Sequence, residues 1–418
     1  MIENNRRSAR KRRVINKKKF VFSSFILLAI IIGAVVFAGK LLENSNKKDV
    51  DIYNENIAQT SVKQIKEEKP VKNELTLVAG GDLLIHDTVF KAAMTSNTSY
   101  DFTPMFSEVK HFFEEADIGI INLEVPVAGN IYAPSNYPNF NSPVELLDAV
   151  KDMGIEVVST ANNHALDKGL TGLNETIKNA RARELNVVGT YDSEDTKPII
   201  MDKNDIKIGI ASYTYGTNGI KIPNSAPYCV NIIDKDKMLS DINYMKEKQV
   251  DFIVFCMHFG QEYQLEQNTA QEDLVKFLVE NGVDVVFGSH PHVPQPYKII
   301  ETTDEEGNIR KSFVIYSLGN FISNQVDYYT KLGGIATVKL SKEGNIKTLE
   351  SYNVTPIYTY LKTISGKKTF KVVPLEKAIY EYDNKNIDTY SESEITTFKK
   401  LFNDTSSIYE KYSVSEEN

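Results

Sequence analysis

The chain has 418 residues, a formal net charge of -8 and only two cysteines. The charge is uneven, because residues 1–40 hold ten basic residues and one acidic residue, which leaves 38 basic and 55 acidic residues, a net charge of -17, for the remainder. This acidic part of the chain lacks the positive surface that binds nucleic acid, so nucleic acid is excluded as a partner. An anionic substrate would need a local cation in order to bind.

The first 39 residues have the pattern of a membrane anchor. Residues 1–19 form a basic segment with nine Lys and Arg, and residues 20–39 follow without a charge. Twenty helical residues at about 1.5 Å each span roughly 30 Å, the thickness of a bilayer's hydrocarbon core. The positive-inside rule then predicts a single-pass cell-membrane protein with a cytoplasmic N-terminus and an extracellular main domain. A cleaved signal peptide is the alternative, since Val36 and Ala38 suit a cleavage site.

The rest of the chain divides into three predicted parts. Residues 40–72 are polar and lack an apolar period, which predicts a flexible stalk. Residues 73–380 alternate strand and helix patterns and predict an α/β domain, large enough to bury a core without disulfides. Residues 381–418 form an acidic tail with a peripheral helix predicted over residues 395–409.

Predicted strands and helices alternate along this domain. The strands are predicted near residues 75–80, 118–123, 155–160, 187–190, 206–213, 250–257, 283–288, 312–318 and 335–340, and the helices over residues 142–153, 170–185, 234–248 and 269–281. Ser142 and Pro143 suit a helix start, and Gly154 and Gly282 suit the left-handed position after a helix. Cys256 lies in an apolar run and reads as a buried thiol, with a disulfide to Cys229 as the alternative.

Five of the apolar runs end in side chains that can bind a metal or transfer a proton. In chain order these are Asp82, Glu124, Asn163 with His164, His258, and His290 with His292. In an open α/β sheet, functional groups gather beyond the carboxyl ends of the strands, so we expect these side chains to converge on one site.

The individual motifs differ in what they indicate. In ANNHALD, residues 161–167, an amide can bind a metal while His164 passes a proton and Asp167 orients it. In SHPH, residues 289–292, Pro291 fixes the backbone between two histidines. His86 is either a surface histidine or a direct participant, and YSLGNF at residues 316–321 is interpreted as structural, closing the floor of the site.

The types of these side chains favour metal chemistry. No cysteine joins the clusters, so the ligands would be oxygen and nitrogen atoms, compatible with manganese, iron or zinc. Two divalent ions about 3.5 to 4 Å apart would activate water and stabilise a phosphoryl oxygen. The sequence contains neither a serine nucleophile elbow nor a GxxxxGK[ST] phosphate loop.

The order of the motifs resembles that of a known family. GGDLLIH, INLEVPV, ANNHALDKGLTG, MHFGQEY, GSHPHVPQP and YSLGNF, within about residues 73–325, are similar to those of the CapA family of poly-gamma-glutamate capsule biosynthesis proteins, which is related to calcineurin-like metallophosphatases. The resemblance implies a four-layer α/β sandwich of the metallophosphatase type with one or two divalent metal ions. It also implies as partners the cytoplasmic membrane, an extracellular anionic polymer such as poly-gamma-glutamate, and membrane synthase subunits.

The resemblance also assigns residue roles. It implies metal ligation by Asp82, Glu124, Asn163, His258, His290 and His292, proton donation by His164, and orientation of His164 by Asp167. The chain departs from the wider phosphatase pattern in two ways. The usual Asp-x-His is here Asp82-Leu83-Leu84, and the bridging aspartate appears as Glu124. Two hypotheses follow: a metal-dependent hydrolase of a phosphoester or polymer linkage, and a non-catalytic accessory subunit that binds polymer or a synthase.

Overall fold

The computed structural model describes residues 71–303, 307–364, 366–385 and 389–412. The predicted basic segment and anchor, and all of the predicted stalk except residues 71 and 72, fall outside these ranges. In the described part, two mixed β-sheets are combined with helices. The predicted α/β class is therefore confirmed.

Strands and helices alternate through the first three-quarters of the described chain. The strands are β1 (Lys72–Leu83), β2 (Ile118–Leu123), β3 (Ile155–Ser159), β4 (Asn186–Val188), β5 (Ile199–Lys203), β6 (Ile206–Thr214), β7 (Phe252–His258), β8 (Val285–Ser289), β9 (Pro294–Thr303), β10 (Ile309–Leu318), β11 (Asn320–Ile322), β12 (Leu332–Glu343), β13 (Ile346–Ile364) and β14 (Lys367–Pro374). The helices are α1 (Asp87–Ala92), α2 (Thr103–Phe106), α3 (Lys110–Glu114), α4 (Glu145–Asp152), α5 (Gly169–Arg181), α6 (Lys235–Glu247), α7 (Thr269–Glu280), α8 (Leu375–Asp383) and α9 (Glu392–Tyr409), with a short 3₁₀ turn at Tyr329–Lys331.

Each sheet has a parallel centre and antiparallel additions. The first sheet has the order β14-β13-β12-β1-β2-β3-β4, with β11 pairing the end of β1. Its strands β1 to β4 are parallel, and β12 to β14 join them antiparallel. The second sheet has the order β5-β6-β7-β8-β10-β9, in which only the edge strands β5 and β9 are antiparallel. The parallel strands of each sheet therefore end at a common edge.

Three apolar clusters hold the layers together. Leu77 and Ile120 of the first sheet share one buried cluster with Ile210 and Val254 of the second. The other faces of the sheets are covered by helices: α1 to α4 pack on the first sheet, and α6 and α7 on the second. Burial of each such aliphatic side chain contributes about 1.5 to 3 kcal/mol, so the clusters fix the sheets rigidly beneath the polar loops at their edges.

The predicted strands and helices all occur near their predicted positions. Gly154 and Gly282 have φ values of +93° and +105°, which confirms their left-handed conformation after a helix. The predicted helix start at Ser142 is wrong: α4 begins at Glu145, and the buried Ser142 hydroxyl has no hydrogen-bond partner among the described residues. Cys229 and Cys256 are both buried free thiols, so the buried reading of Cys256 is confirmed and the disulfide alternative is wrong.

The tail helix α9 is anchored more firmly than a peripheral helix requires. Ser391 and Glu394 form a reciprocal capping box at its start. Ile395 and Phe398 are buried along one face of the helix. At its end, the Tyr409 hydroxyl donates a 2.8 Å hydrogen bond to the Leu318 carbonyl oxygen. The helix therefore contacts the end of β10, close to the loops that carry the polar motifs.

Within the described ranges, no helix is both long and apolar enough to cross a membrane. The longest helix there is α9, whose 18 residues include Glu392, Lys399 and Asp404, and such charged side chains are costly in hydrocarbon. This finding counts against the predicted single-pass location in the cell membrane, and we do not retain that prediction. Residues 20–39, on which it was based, lie outside the described residues.

Gly81 permits a close approach of two strands beneath the polar loops. A Cβ atom at Gly81 would lie 1.9 Å from the Gly319 carbonyl oxygen, which also accepts a 2.9 Å hydrogen bond from the Asp82 amide. We expect Gly81→Ala to lower the free energy of unfolding by about 3 kcal/mol, measured by urea denaturation. Gly216→Ala is the matched control, because a Cβ there meets no atom within 4 Å. Equal stabilities of the two variants would contradict the described packing.

Candidate metal centre

Asp82 lies at the end of β1 and is fully buried. Its Oδ1 accepts a 2.8 Å hydrogen bond from the Asn122 side-chain amide, and its Oδ2 lies 3.0 Å from His292 Nδ1. The His290 backbone amide also donates to Oδ2, at 3.4 Å. The carboxylate therefore joins the ends of β1 and β2 to the SHPH loop after β8.

Glu124 follows β2 and is also fully buried. Its Oε1 lies 3.5 Å from His258 Nε2 and 3.7 Å from His292 Nε2, yet has no hydrogen-bond partner among the described residues. Burial, and next the neighbouring Asp82 carboxylate, raise the pKa of Glu124 well above its usual range. A cation beside this carboxylate would favour its charged form and reverse the shift.

The three histidines from the second sheet lie close together. The ring centroids of His258 and His290 are 4.9 Å apart, and those of His290 and His292 are 6.0 Å apart. His258 Nε2 also lies 3.0 Å from the Asn163 side-chain oxygen, so β3 contributes to the same cluster. Burial is the main cause that lowers the pKa of His258, and the neighbouring imidazoles lower it further. Burial and the neighbouring imidazoles also lower the pKa of His290, to about 3. The rings of His258 and His290 are therefore neutral, which is the form that binds metals.

The backbone of the SHPH loop is strained in a way that fixes these rings. His290 and His292 have φ values of +99° and +59°, a left-handed conformation that costs a non-glycine residue roughly 1 to 2 kcal/mol. Such strain persists only where the surrounding structure imposes it, and it is common at functional sites.

The donor atoms fit a divalent cation. Three ligand sets, whose atoms lie within 4.8 Å of one another, occur among the described residues: Glu124 with His258 and His290, Asp82 with Glu124 and His292, and Glu262 with His290 and His292. Glu124 Oε1 and His290 Nδ1 are buried without hydrogen-bond partners. A buried polar group left in this way costs about 1 to 3 kcal/mol, which coordination of a cation would offset. The mixed oxygen and nitrogen set suits divalent transition metals.

His164 and Asp167 form a pair beside this cluster. His164 Nδ1 lies 2.8 Å from Asp167 Oδ2, which also accepts a 2.8 Å hydrogen bond from the Phe140 amide. The edge of the His164 ring also meets Phe140, with the ring centroids 4.8 Å apart. His164 belongs to none of the three ligand sets found in the described ranges. The contacts through Nδ1 leave Nε2 as the atom that can exchange a proton.

A cavity of about 730 Å³ opens onto the cluster. His164, Asn163, Glu262 and His292 reach its wall, and none of its lining residues is Lys or Arg. His86 lines the cavity as well, but its Nδ1 accepts a 3.2 Å hydrogen bond from the Asn324 amide. Burial lowers the pKa of His86 to about 4, so it is neutral at ordinary pH.

The structure thus brings together every side chain that the sequence predicts for the site: Asp82, Glu124, Asn163, His164, Asp167, His258, His290 and His292. Their roles as ligands or proton donors remain predictions. Sequence reasoning missed Asn122, Glu262 and Asn320. The side-chain oxygen of Asn320 lies 3.2 Å from His292 Nδ1. The signal for Asn122 was present, because it precedes Glu124 by two residues and alternate strand residues face the same side.

The fold and this site define an α/β protein with a candidate divalent-metal centre at the carboxyl ends of its parallel strands. The model of the bacterial capsule synthesis protein PGA_cap matches residues 76–325, more than half of the chain. The chain belongs to this family.

Two relatives and one solved structure give the degree of similarity. The capsule biosynthesis protein CapA of Bacillus anthracis is 27% identical over 302 residues, which cover 69% of this chain and 70% of the relative. The PGA biosynthesis protein CapA of Bacillus subtilis (strain 168) is 26% identical over 349 residues, which cover 81% and 80%. The fold is similar to that of the calcineurin-like phosphoesterase YfkN from Bacillus subtilis, with a TM-score of 0.41, 14% identity, and coverage of 80% of this chain and 98% of that chain.

Proposed function

We propose that this protein is a metal-dependent hydrolase that cleaves a linkage of a capsule polymer during the synthesis or export of that polymer. The observation that carries the proposal is the His164–Asp167 pair, which lies on the wall of the same cavity as Glu262 and His292, two members of the ligand sets. Family membership supports the role in capsule synthesis. The name of the Bacillus subtilis relative, a PGA biosynthesis protein, supports poly-gamma-glutamate as the polymer.

The proposed ion-binding residues are Asp82, Glu124, Asn163, His258, His290 and His292, on a four-layer sandwich of the metallophosphatase type. Manganese, iron and zinc all suit this mixture of carboxylate, amide and imidazole ligands. A bound divalent ion would act as a Lewis acid and activate water. Glu124 belongs to two of the ligand sets, one with His258 and His290 and one with Asp82 and His292, so it would help to hold an ion in either set.

The proton chemistry is assigned to His164. Asp167 holds His164 Nδ1, and the Phe140 amide holds Asp167 in turn, so the imidazole has a fixed orientation. His164 Nε2 is then the atom that donates a proton to the leaving group of the cleaved linkage.

The wall of the cavity suits a polymer chain. It offers the amides of Asn139, Asn218 and Gln325 and the ring of Tyr263, which can hydrogen-bond and pack along a polymer backbone. An anionic polymer would need a cation at the site, and the proposed divalent ion would supply one.

A direct assay tests this proposal. The full-length chain loaded with Mn²⁺ is incubated with poly-gamma-glutamate, and polymer length is followed by gel filtration and by release of free amines. We expect shortening of the polymer with the loaded protein and none after chelation of the metal. Simple aryl phosphates, assayed in parallel, show whether the site also cleaves phosphoesters. Unchanged polymer length with metal-loaded protein would contradict the hydrolase.

A non-catalytic accessory subunit that binds polymer or synthase subunits is the second candidate. The presence of Leu84 favours the accessory role, because this buried apolar side chain adds no ligand to the set of Asp82, Glu124 and His292. In that case the polymer should bind without being cleaved. His290→Ala should then abolish capsule formation in cells, whereas His164→Ala should have no effect.

A further inference from the structure

We propose that Glu262 is a metal ligand on the cavity side of the centre, acting together with His290 and His292. The inference rests on the metal binding of the proposed function. A Glu262 carboxylate oxygen and one ring nitrogen from each of the two histidines lie within 4.8 Å of one another, close enough to meet around a single cation. Glu262 and His292 also line the same cavity, so an ion held there would face the substrate.

The backbone places Glu262 over the SHPH loop. The Phe259 amide donates a 3.1 Å hydrogen bond to the Ser289 carbonyl oxygen, and the Tyr263 amide donates a 2.8 Å bond to the Pro291 carbonyl oxygen. Glu262 lies between these two attachment points. Tyr263 has a φ of +66°, a left-handed conformation that such attachments must impose on a non-glycine residue. The position of the Glu262 backbone over the SHPH loop is therefore set by the fold.

A second, independent feature points to a cation at this place. His290 is only 3% exposed, and its Nδ1 has no hydrogen-bond partner among the described residues. A buried ring nitrogen without a partner is costly, and a cation bound by His290 together with Glu262 would offset that cost.

Glu262 completes a further ligand set beside the buried ones. Asp82, Glu124 and His292 form one set of three, to which Leu84, at 2% exposed, adds nothing, and Glu262 forms another with His290 and His292. A catalytic metal site has three protein ligands and keeps one position for water or substrate, so the Glu262 set is large enough to hold an ion. Glu262 shares His292 with the set of Asp82 and Glu124 and adds a carboxylate, so it raises the negative charge of the site. Carboxylate ligands suit Mn²⁺ better than softer metals.

The test is the metal affinity of full-length variants. The wild-type chain and Glu262→Gln are stripped with a chelator, titrated with Mn²⁺, and analysed by elemental mass spectrometry and by electron paramagnetic resonance. Removing even an outer-shell partner costs about 10- to 100-fold in metal affinity, so Glu262→Gln should weaken the binding of at least one Mn²⁺ ion by tenfold or more. Glu262→Asp should recover part of this loss, because the shorter side chain keeps the carboxylate.

The matched control is Glu266→Gln, the same substitution in the same loop. The Glu266 carboxylate is exposed and pairs with Lys411 at 2.6 Å, so its loss should leave Mn²⁺ affinity unchanged. Thermal unfolding of the stripped proteins confirms that the variants fold.

Each outcome bears on Glu262 separately from catalysis. Wild-type Mn²⁺ affinity in Glu262→Gln would overturn the assignment, even in a protein that cleaves polymer. A wild-type chain that binds no Mn²⁺ would overturn it too. A selective loss of Mn²⁺ in Glu262→Gln would support the assignment, even if no polymer were cleaved and the hydrolase proposal failed.

Discussion

His164→Ala is expected to lower the rate of polymer cleavage by about 10² to 10⁴-fold, the usual share of general acid catalysis. Metal content and folding should remain nearly unchanged, because His164 lies outside the three ligand sets of the described residues. The reason is that His164, held by Asp167 at 2.8 Å, is the group placed to donate a proton at the cavity wall. Cleavage rates are compared at saturating polymer and Mn²⁺.

His111→Ala is the matched control for this prediction. His111 lies on α3 and does not line the cavity, so its loss should leave cleavage unchanged. Loss of metal in His164→Ala would instead make His164 a ligand. An unchanged cleavage rate in His164→Ala would remove it from the reaction.

His258→Ala is expected to have the largest effect on metal binding. His258 Nε2 lies 3.0 Å from the Asn163 oxygen and 3.5 Å from Glu124 Oε1, so its removal takes a central nitrogen from the cluster. A ligand present at 100 times its Kd stabilises a fold by about 2.7 kcal/mol. Excess Mn²⁺ should therefore raise the melting temperature of the wild-type chain by several degrees, and that of His258→Ala little or not at all.

The control for His258→Ala is the melting temperature of the stripped proteins, which separates lost binding from a damaged fold. His258 is buried, so some loss of stability without metal is expected. An equal Mn²⁺-dependent rise in both proteins would contradict a role of His258 in metal binding.

The site residues could be predicted because each follows a strongly apolar run. Strand β7, with the sequence FIVFCMH, is buried throughout and delivers His258 at its carboxyl end. In parallel strands such ends share one edge, so a local pattern was enough to predict a distant convergence. The spacing of the imidazoles agrees with that expectation, since the ring centroids of His258 and His290 are 4.9 Å apart and those of His290 and His292 are 6.0 Å apart.

The antiparallel strands were harder to predict. Strand β13, Ile346–Ile364, is the longest described strand, yet most of its first nine residues are exposed and polar. It pairs with β12 and β14 through its backbone, and side-chain alternation gives no sign of this pairing. The edge strands β5 and β9 escaped prediction for a related reason, because many of their side chains are only partly buried.

The missed site residues depend on contacts between distant segments. Asn320 reaches His292 only because β11 pairs with the end of β1, where Asp82 also contacts His292. Glu262 reaches His290 and His292 through the backbone hydrogen bond from Tyr263 to Pro291. Neither contact has a local sequence signal, so geometry alone reveals them.

Anomalous X-ray diffraction at the manganese absorption edge tests the central claim most directly. In crystals of the full-length chain grown with Mn²⁺, we expect a strong peak among His258, His290, Glu124 and Asn163, with metal–nitrogen distances near about 2 Å. A second peak beside Asp82 and His292 would extend the site to two ions. Contradiction would come from crystals in which Mn²⁺ is absent from this cluster or bound only elsewhere on the protein.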